Sequence, residues 1–187
     1  CLIRNRTTIP FITSDDPAVL TNRWYLEDRR PAGRSCGLAS SGALLFLPLS
    51  PRVLCLGYDG DVYSLPNTGG WIDVRRERDI TAFNQHQYLN CRANINFREW
   101  DQCQRIQHDF DTATRLRPDV RHRINYAVFD RSENGADRFR VVDKALAGNH
   151  ERALIFTQQI LPKPSIWPTQ IGWREKGKVY TNGSGVG

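Results

Sequence analysis

The sequence predicts an α+β fold, with a mixed or antiparallel sheet and one central helix near residues 75–100. Three observations carry this. Short apolar runs at Ala43–Leu47 and Val53–Tyr58 are closed off by proline, serine and an Asp-Gly pair, as strands are. The longest stretch of helical spacing, Arg75 to Trp100, follows them. More β-prone runs come after it, at Ile124–Asp130, Phe139–Val142 and Leu154–Gln159.

Taken in order, Ile9–Thr13 is a short β-prone run, and Ser14-Asp15-Asp16-Pro17 ends it with the residue types of a strand-to-helix junction. There Asp16 is expected to act as N-cap and Pro17 as the first helical residue. Thr21 to Ser41 carries Pro31, Gly33, Gly37 and several arginines and reads as a long surface connection. Ala43–Leu47 reads as a buried strand, Pro48-Leu49-Ser50-Pro51 as a break, and Val53–Tyr58 as a second strand turning at Asp59-Gly60 into a hairpin with Val62–Ser64. Asp-Gly between β-formers is a strong hairpin signal.

The helix expected over 75–100, capped by Asp73 or Asp79, has two apolar faces: Ala82, Leu89, Ala93 and Trp100 on one, Ile80, Tyr88, Cys91 and Ile95 on the other. A helix of that kind is covered on two sides. Asn84, Gln87 and Asn94 fall between the faces. A polar stretch then leads to strands at Ile124–Asp130, Phe139–Val142 and Leu154–Gln159, with a turn at Ser132–Asp137 between the first two. Residues 160–187 read as an extended or flexible C-terminal arm, suited to contacting a partner chain.

A chain of 187 residues, 40% hydrophobic, is long enough for one core, and a single domain is expected. It opens at Cys1 and has no Met, so a fragment or processed piece of a longer chain is expected. Its longest apolar stretch, Gly42 to Leu49, is far below the roughly 20 residues of a membrane-spanning helix. The five cysteines form no CxxC pair; reduced, mostly buried thiols and a cytoplasmic setting follow. The net charge of +6 comes almost wholly from arginine, with lysine only at 144, 163, 176 and 178. Guanidinium forks suit phosphate and carboxylate partners, so nucleic acid or another polyanion is a candidate partner.

The chemical candidates are few. Asp15 and Asp16 after a strand could hold a divalent metal, Asp15 as ligand, or act as general base, although neighbours on an extended backbone point opposite ways. Capping and turn formation explain the pair without catalysis. Arg29, Arg30 and Arg34 around Trp24 form a candidate nucleic-acid-binding group, since arginine and aromatic rings together contact phosphates and stack bases; Trp is equally at home in a core. Gly33-Arg34-Ser35-Cys36-Gly37 matches the letters of a nucleophile elbow but lacks the buried strand that mechanism needs. Cys36 beside Arg34 leaves a thiol enzyme as a third option. The four histidines show no metal-ligand spacing, and His86, on an apolar helical face, reads as a packed, hydrogen-bonded residue.

Phe11-Ile12-Thr13-Ser14-Asp15-Asp16-Pro17-Ala18-Val19, Leu47-Pro48-Leu49-Ser50-Pro51 and Asn84-x-x-Gln87-x-x-Asn90-Cys91, in that order, resemble the latter part of an uncharacterised microbial family labelled domain of unknown function 4238. The resemblance covers roughly residues 9–97. Asp16 stands where the family usually has Asn and Cys91 where it has Ala, and the family's paired-His motif has no counterpart in this sequence. The resemblance implies no activity; it raises Ser14, Asp15, Asp16, Asn84 and Gln87 as site candidates and implies that the SDDP turn meets the Asn/Gln stripe. The leading functional expectation is a nucleic-acid-directed, metal-assisted hydrolase or its binding half, with Asp15, Asp16, Asn84 and Gln87 as catalytic candidates. The alternative is a non-catalytic protein-interaction module in which SDDP and PLSP are structural turns.

Overall fold

The computed structural model describes residues 1–27 and 37–175, which fall into two compact units: 1–27, 37–117 and 162–175 form the first, 118–161 the second. A single domain was the expectation from length alone; length does not report where the contacts close. No helix of the described residues is long and apolar enough to cross a membrane.

The first unit runs β1 (Leu2–Asn5), β2 (Thr13–Ser14), β3 (Val19–Thr21), α1 (Arg23–Glu27), β4 (Leu44–Ser50), β5 (Val53–Tyr58), β6 (Tyr63–Ser64) and β7 (Trp71–Val74). Then come α2 (Glu77–Asn90), β8 (Ile95–Asn96) and α3 (Cys103–Thr114). Five strands form a mixed sheet in the order β3-β4-β5-β1-β7, with only β1 and β7 parallel. Alternate residues of each strand point to opposite faces. One face carries Ile3, Leu44, Phe46, Leu54, Leu56 and Ile72, all buried, and α2 lays Ile80 and Phe83 on it. The Phe83 ring meets Phe46 and Phe11 edge-on at 5.6 and 5.9 Å. On its other side α2 shares a second cluster with α3, built on Ile12, Tyr88, Ile106 and Ala113. The α+β fold is therefore as expected, with a central helix covered on two sides.

Several local expectations give way to tertiary pairing. No helix begins at Pro17: the chain enters β3, and Asp16 caps nothing, because Val19 and Thr21 gain more by pairing with Phe46 and Leu44 in the sheet. Pro48 does not break the strand; β4 runs to Ser50 and absorbs the irregularity as a register shift between Pro48 and Ser50, as proline is tolerated at bulges. The Asp59 turn forms, with Val62 and Tyr63 N–H groups donating to the Asp59 carbonyl at 3.3 and 2.9 Å. Its outgoing strand β6 pairs with β12 (Gly172–Trp173) instead of β5. The helix is shorter than the periodicity suggests: Trp71–Val74 is a sheet strand, Arg76 at the N-cap makes no side-chain capping bond, Asp79 lies inside α2, and the chain leaves the helix at Cys91. Ala93 and Asn94 therefore lie on no helical face, and Trp100, 81% exposed, opens a separate one-turn 3-10 helix, Trp100–Gln102. The polar stretch after Asp101 contains a helix not expected from the sequence, α3, whose signal is the thin stripe Ile106, Phe110, Ala113. Among the described cysteines 1, 55, 91 and 103, none of them in a disulfide, only Cys91 is buried and the other three are half-buried, which corrects the expectation of mostly buried thiols.

In the second unit β9 (His122–Glu133) is flanked by β10 (Ala136–Val142) and β11 (Ala153–Gln159), all antiparallel, with α4 (Lys144–Ala147) capped by the Asp143 carboxylate. Asn134 and Gly135 both take positive φ, 52° and 77°, the requirement of a tight two-residue hairpin turn.

Candidate functional site

α2 is unusual in burying polar side chains around most of its circumference: Asp79, Asn84, Gln85, His86 and Gln87 are all buried. Buried amides and carboxylates need partners, and here those partners are mostly the backbones of two irregular segments. Asn84 accepts from the Ile12 N–H at 3.1 Å and donates to the Pro10 carbonyl at 2.9 Å. One turn on, the Gln87 Oε1 accepts from the Ser14 N–H and hydroxyl at 3.0 and 2.9 Å, and its Nε2 donates to the Pro17 carbonyl at 2.9 Å. Asn90 continues the three-residue spacing and donates to the Asp16 carbonyl at 2.6 Å. Across the helix, Asp79 accepts from the Thr169 N–H and hydroxyl and from Gln170, while Gln85 accepts from the Ser165 N–H at 2.9 Å. α2 thus serves as a template: its amides stand in for a neighbouring strand along residues 10–17, and its other side holds 165–170. The stretch 162–175, part of the expected extended or flexible C-terminal arm, is anchored, with Ile171 in the core.

The SDDP turn and the Asn/Gln stripe meet, and the geometry of the meeting is structural. Both Asp15 oxygens accept backbone N–H groups beyond the end of α2, from Arg92 at 3.0 Å and Ala93 at 2.9 Å, and the Asp15 N–H donates to the Asn94 carbonyl at 3.0 Å. The Arg92 N–H and its neighbours hold the exposed Asp15 carboxyl below its usual range. The Asp16 carboxylate points elsewhere, to Arg92 at 3.3 Å. Among the described residues no group of three or more His, Cys, Asp or Glu could hold a metal ion. PLSP joins the same knot through the Pro51 carbonyl, which accepts from the Phe11 N–H at 3.0 Å, while buried Asn5 donates to Ile9 at 2.6 Å. Phe11–Thr13, Pro48–Pro51 and Asn96–Arg98 line a mostly apolar cleft of about 400 Å³.

A second feature lies on the sheet face turned away from α2. Strand pairing brings Leu20, Leu45, Leu47, Cys55, Leu2 and Trp71 to that face, through the pairs Leu20–Leu45, Leu47–Cys55, Cys55–Leu2 and Leu2–Trp71. All six are half-buried, and none belongs to either core cluster. At the β1–β7 end the face turns basic. Arg4, Arg6 and Arg75 share Asp73 at 3.7, 3.2 and 3.8 Å, and the Arg4 guanidinium stacks 4.5 Å from the Trp71 ring centre.

The family model described as Protein of unknown function (DUF4238) matches residues 1–101, which takes in SDDP, PLSP and all of α2. The chain belongs to this family. No curated protein and no solved structure matches it. In this DUF4238 chain, then, the three motifs build one junction: the turn, the second motif and the helix stripe are tied by backbone-directed hydrogen bonds.

Trp24 packs against the main core, and its backbone N–H donates to the Tyr63 hydroxyl at 2.9 Å. Arg29, Arg30, Arg34 and Cys36 lie outside the described residues, as do Lys176 and residues 181–187. Sequence reasoning missed Asn5, Asp79 and Gln85 as organising residues and left Asn90 in a motif without a role; the 84-87-90 spacing was the available signal for the last. His86 is buried as expected, between Phe46 and Trp167 at 4.6 and 4.9 Å, but its Nε2 has no hydrogen-bond partner. Burial pushes its pKa down to about 3.

Proposed function

We propose that this chain is a non-catalytic protein-interaction module, in which the SDDP and PLSP turns are architectural and the outer face of the five-stranded sheet receives a partner. The observation that carries this reading is the composition of β4 and β5. They are apolar on both faces, Leu44 and Phe46 inward, Leu45 and Leu47 outward, yet among the described residues only the inward set lies in a core. An antiparallel sheet with one face in water alternates apolar with polar residues, and β4 and β5 do not. The engagement of Asp15, Asn84 and Gln87 with the chain's own backbone supports the same reading, because it gives the motif a folding role.

The competing reading is a nucleic-acid-directed hydrolase that uses Asp15 as metal ligand with Asp16, Asn84 and Gln87 around it. The two separate in one experiment: titration of Mg²⁺, Mn²⁺ and Zn²⁺ against wild type and Asp15→Ala, read by thermal denaturation and by cleavage of labelled single- and double-stranded DNA and RNA. The module reading expects no cleavage and a lower Tm for Asp15→Ala at every metal concentration alike. A metal-dependent rise in Tm present only with Asp15, accompanied by cleavage, would establish the hydrolase instead.

A further inference from the structure

Resting on that module reading, we infer that the outer sheet face binds an amphipathic helix of a partner chain, with an apolar stripe lying over β4 and β5 and acidic residues meeting the basic end at β1 and β7. Four inter-strand spacings of about 4.8 Å make the face about 19 Å wide, and strands of this length make it about 16 Å long. Its plane is thus about 300 Å², well short of the ~800 Å² per partner that a stable protein dimer needs. It does suit a helix about 10 Å across. The chemistry along the width is graded. Leu20, Leu45, Leu47 and Cys55 offer an uncharged, half-buried surface. Beyond them Arg4, Arg6 and Arg75 face the single carboxylate Asp73, an excess of two positive charges at one rim.

A second copy of this chain would bring an equally basic rim, three arginines around one carboxylate, Asp73, so charge complementarity selects an acidic partner. Glycine at 57 opposite Leu45 leaves a shallow point in the floor: a Cβ there would stand 3.3 Å from the Leu45 Cβ. A large side chain of the incoming helix fits over it.

The test uses a fluorescein-labelled, lactam-stapled helical peptide with a leucine stripe and glutamate flanks, and its twin with lysine in place of glutamate. Binding is read by anisotropy on the full chain in low and moderate salt. The expected result is saturable binding of the glutamate peptide and at least about tenfold weaker binding of the lysine twin, with the preference narrowing as salt rises. Arg75→Glu, on a 75%-exposed side chain, is expected to weaken the glutamate peptide by about tenfold. Leu47→Glu is expected to abolish binding with unchanged circular dichroism; Leu45→Ser serves the same purpose should Leu47→Glu misfold. Equal binding of both peptides, or of neither, overturns the acidic-helix proposal. So does a homodimer in sedimentation that Leu47→Glu dissolves, or a single-stranded RNA that competes for the face; the homodimer would leave the module reading standing, whereas nucleic-acid cleavage would remove both.

Discussion

Acid is expected to destabilise the first unit through one residue, His86. Its folded pKa is about 3 against an ordinary 6.5, the cause being burial. A folded pKa below the unfolded one means that the unfolded chain binds the proton more readily. Stability is therefore complete above pH 6.5 and is lost as pH falls from there towards 3, at about 1.4 kcal/mol per pH unit. Between pH 7 and 4.5 the loss comes to about 2.5 kcal/mol, a large share of a typical domain's 5–15 kcal/mol. The window is clean on its acid side, because Asp15 and Asp137, both held below their usual range, take effect only below about pH 4. Burial raises Asp109, which acts in the opposite sense. Urea denaturation followed by tryptophan fluorescence reports the site directly, since the Trp167 ring lies 4.9 Å from His86. His86→Leu removes the partnerless Nε2 and is expected to match or exceed wild type at pH 7 while losing the slope between pH 6.5 and 4.5. A wild-type midpoint that stays constant over that range, or a His86→Leu variant that keeps the slope, would refute the reasoning.

Further perturbations address the motif junction and the turns. Gln87→Ala leaves the Ser14 N–H and the Pro17 carbonyl without their partner and is expected to cost about 2–4 kcal/mol in urea denaturation, with Asn84→Ala behaving alike; undiminished stability would remove the template role of α2. Asp15→Ala is expected to lower Tm at pH 7 and to converge with wild type as pH falls below about 4, since the depressed carboxylate pKa contributes only above that range; a constant difference across pH would mean the charge is irrelevant. Gly42 sits at φ 76°, and a Cβ there would come within 2.8 Å of the Asn22 Oδ1 and 2.9 Å of the Trp24 Cβ. Gly42→Ala is accordingly expected to destabilise by about 2 kcal/mol or more, whereas Gly135→Ala, in open space, costs about 1 kcal/mol; equal losses by calorimetry would count against the steric argument.

Elements whose signal is local were legible. Val53–Tyr58 is a strand because a short apolar run bounded by turns fixes it, and the strands around Asn134-Gly135 follow from the turn chemistry. The apolar positions of α2 at 80, 82, 88 and 89 and the placement of Asn84 and Gln87 between them follow from 3.6-residue periodicity alone. Outcomes decided by distant partners were not legible. Val19–Thr21 became a strand because β4 offered an unpaired edge, β6 chose Gly172–Trp173 over the nearer β5, and α2 stopped at Asn90 where the Asp15 carboxylate gathers the Arg92 and Ala93 N–H groups. The identity of the Asn, Gln and Asp side chains on α2 was written in the sequence; that they hold two irregular segments in place was decided by folding. A side-chain amide states only that a buried site will need one donor and one acceptor, and which backbone supplies them depends on what packing brings within 3 Å.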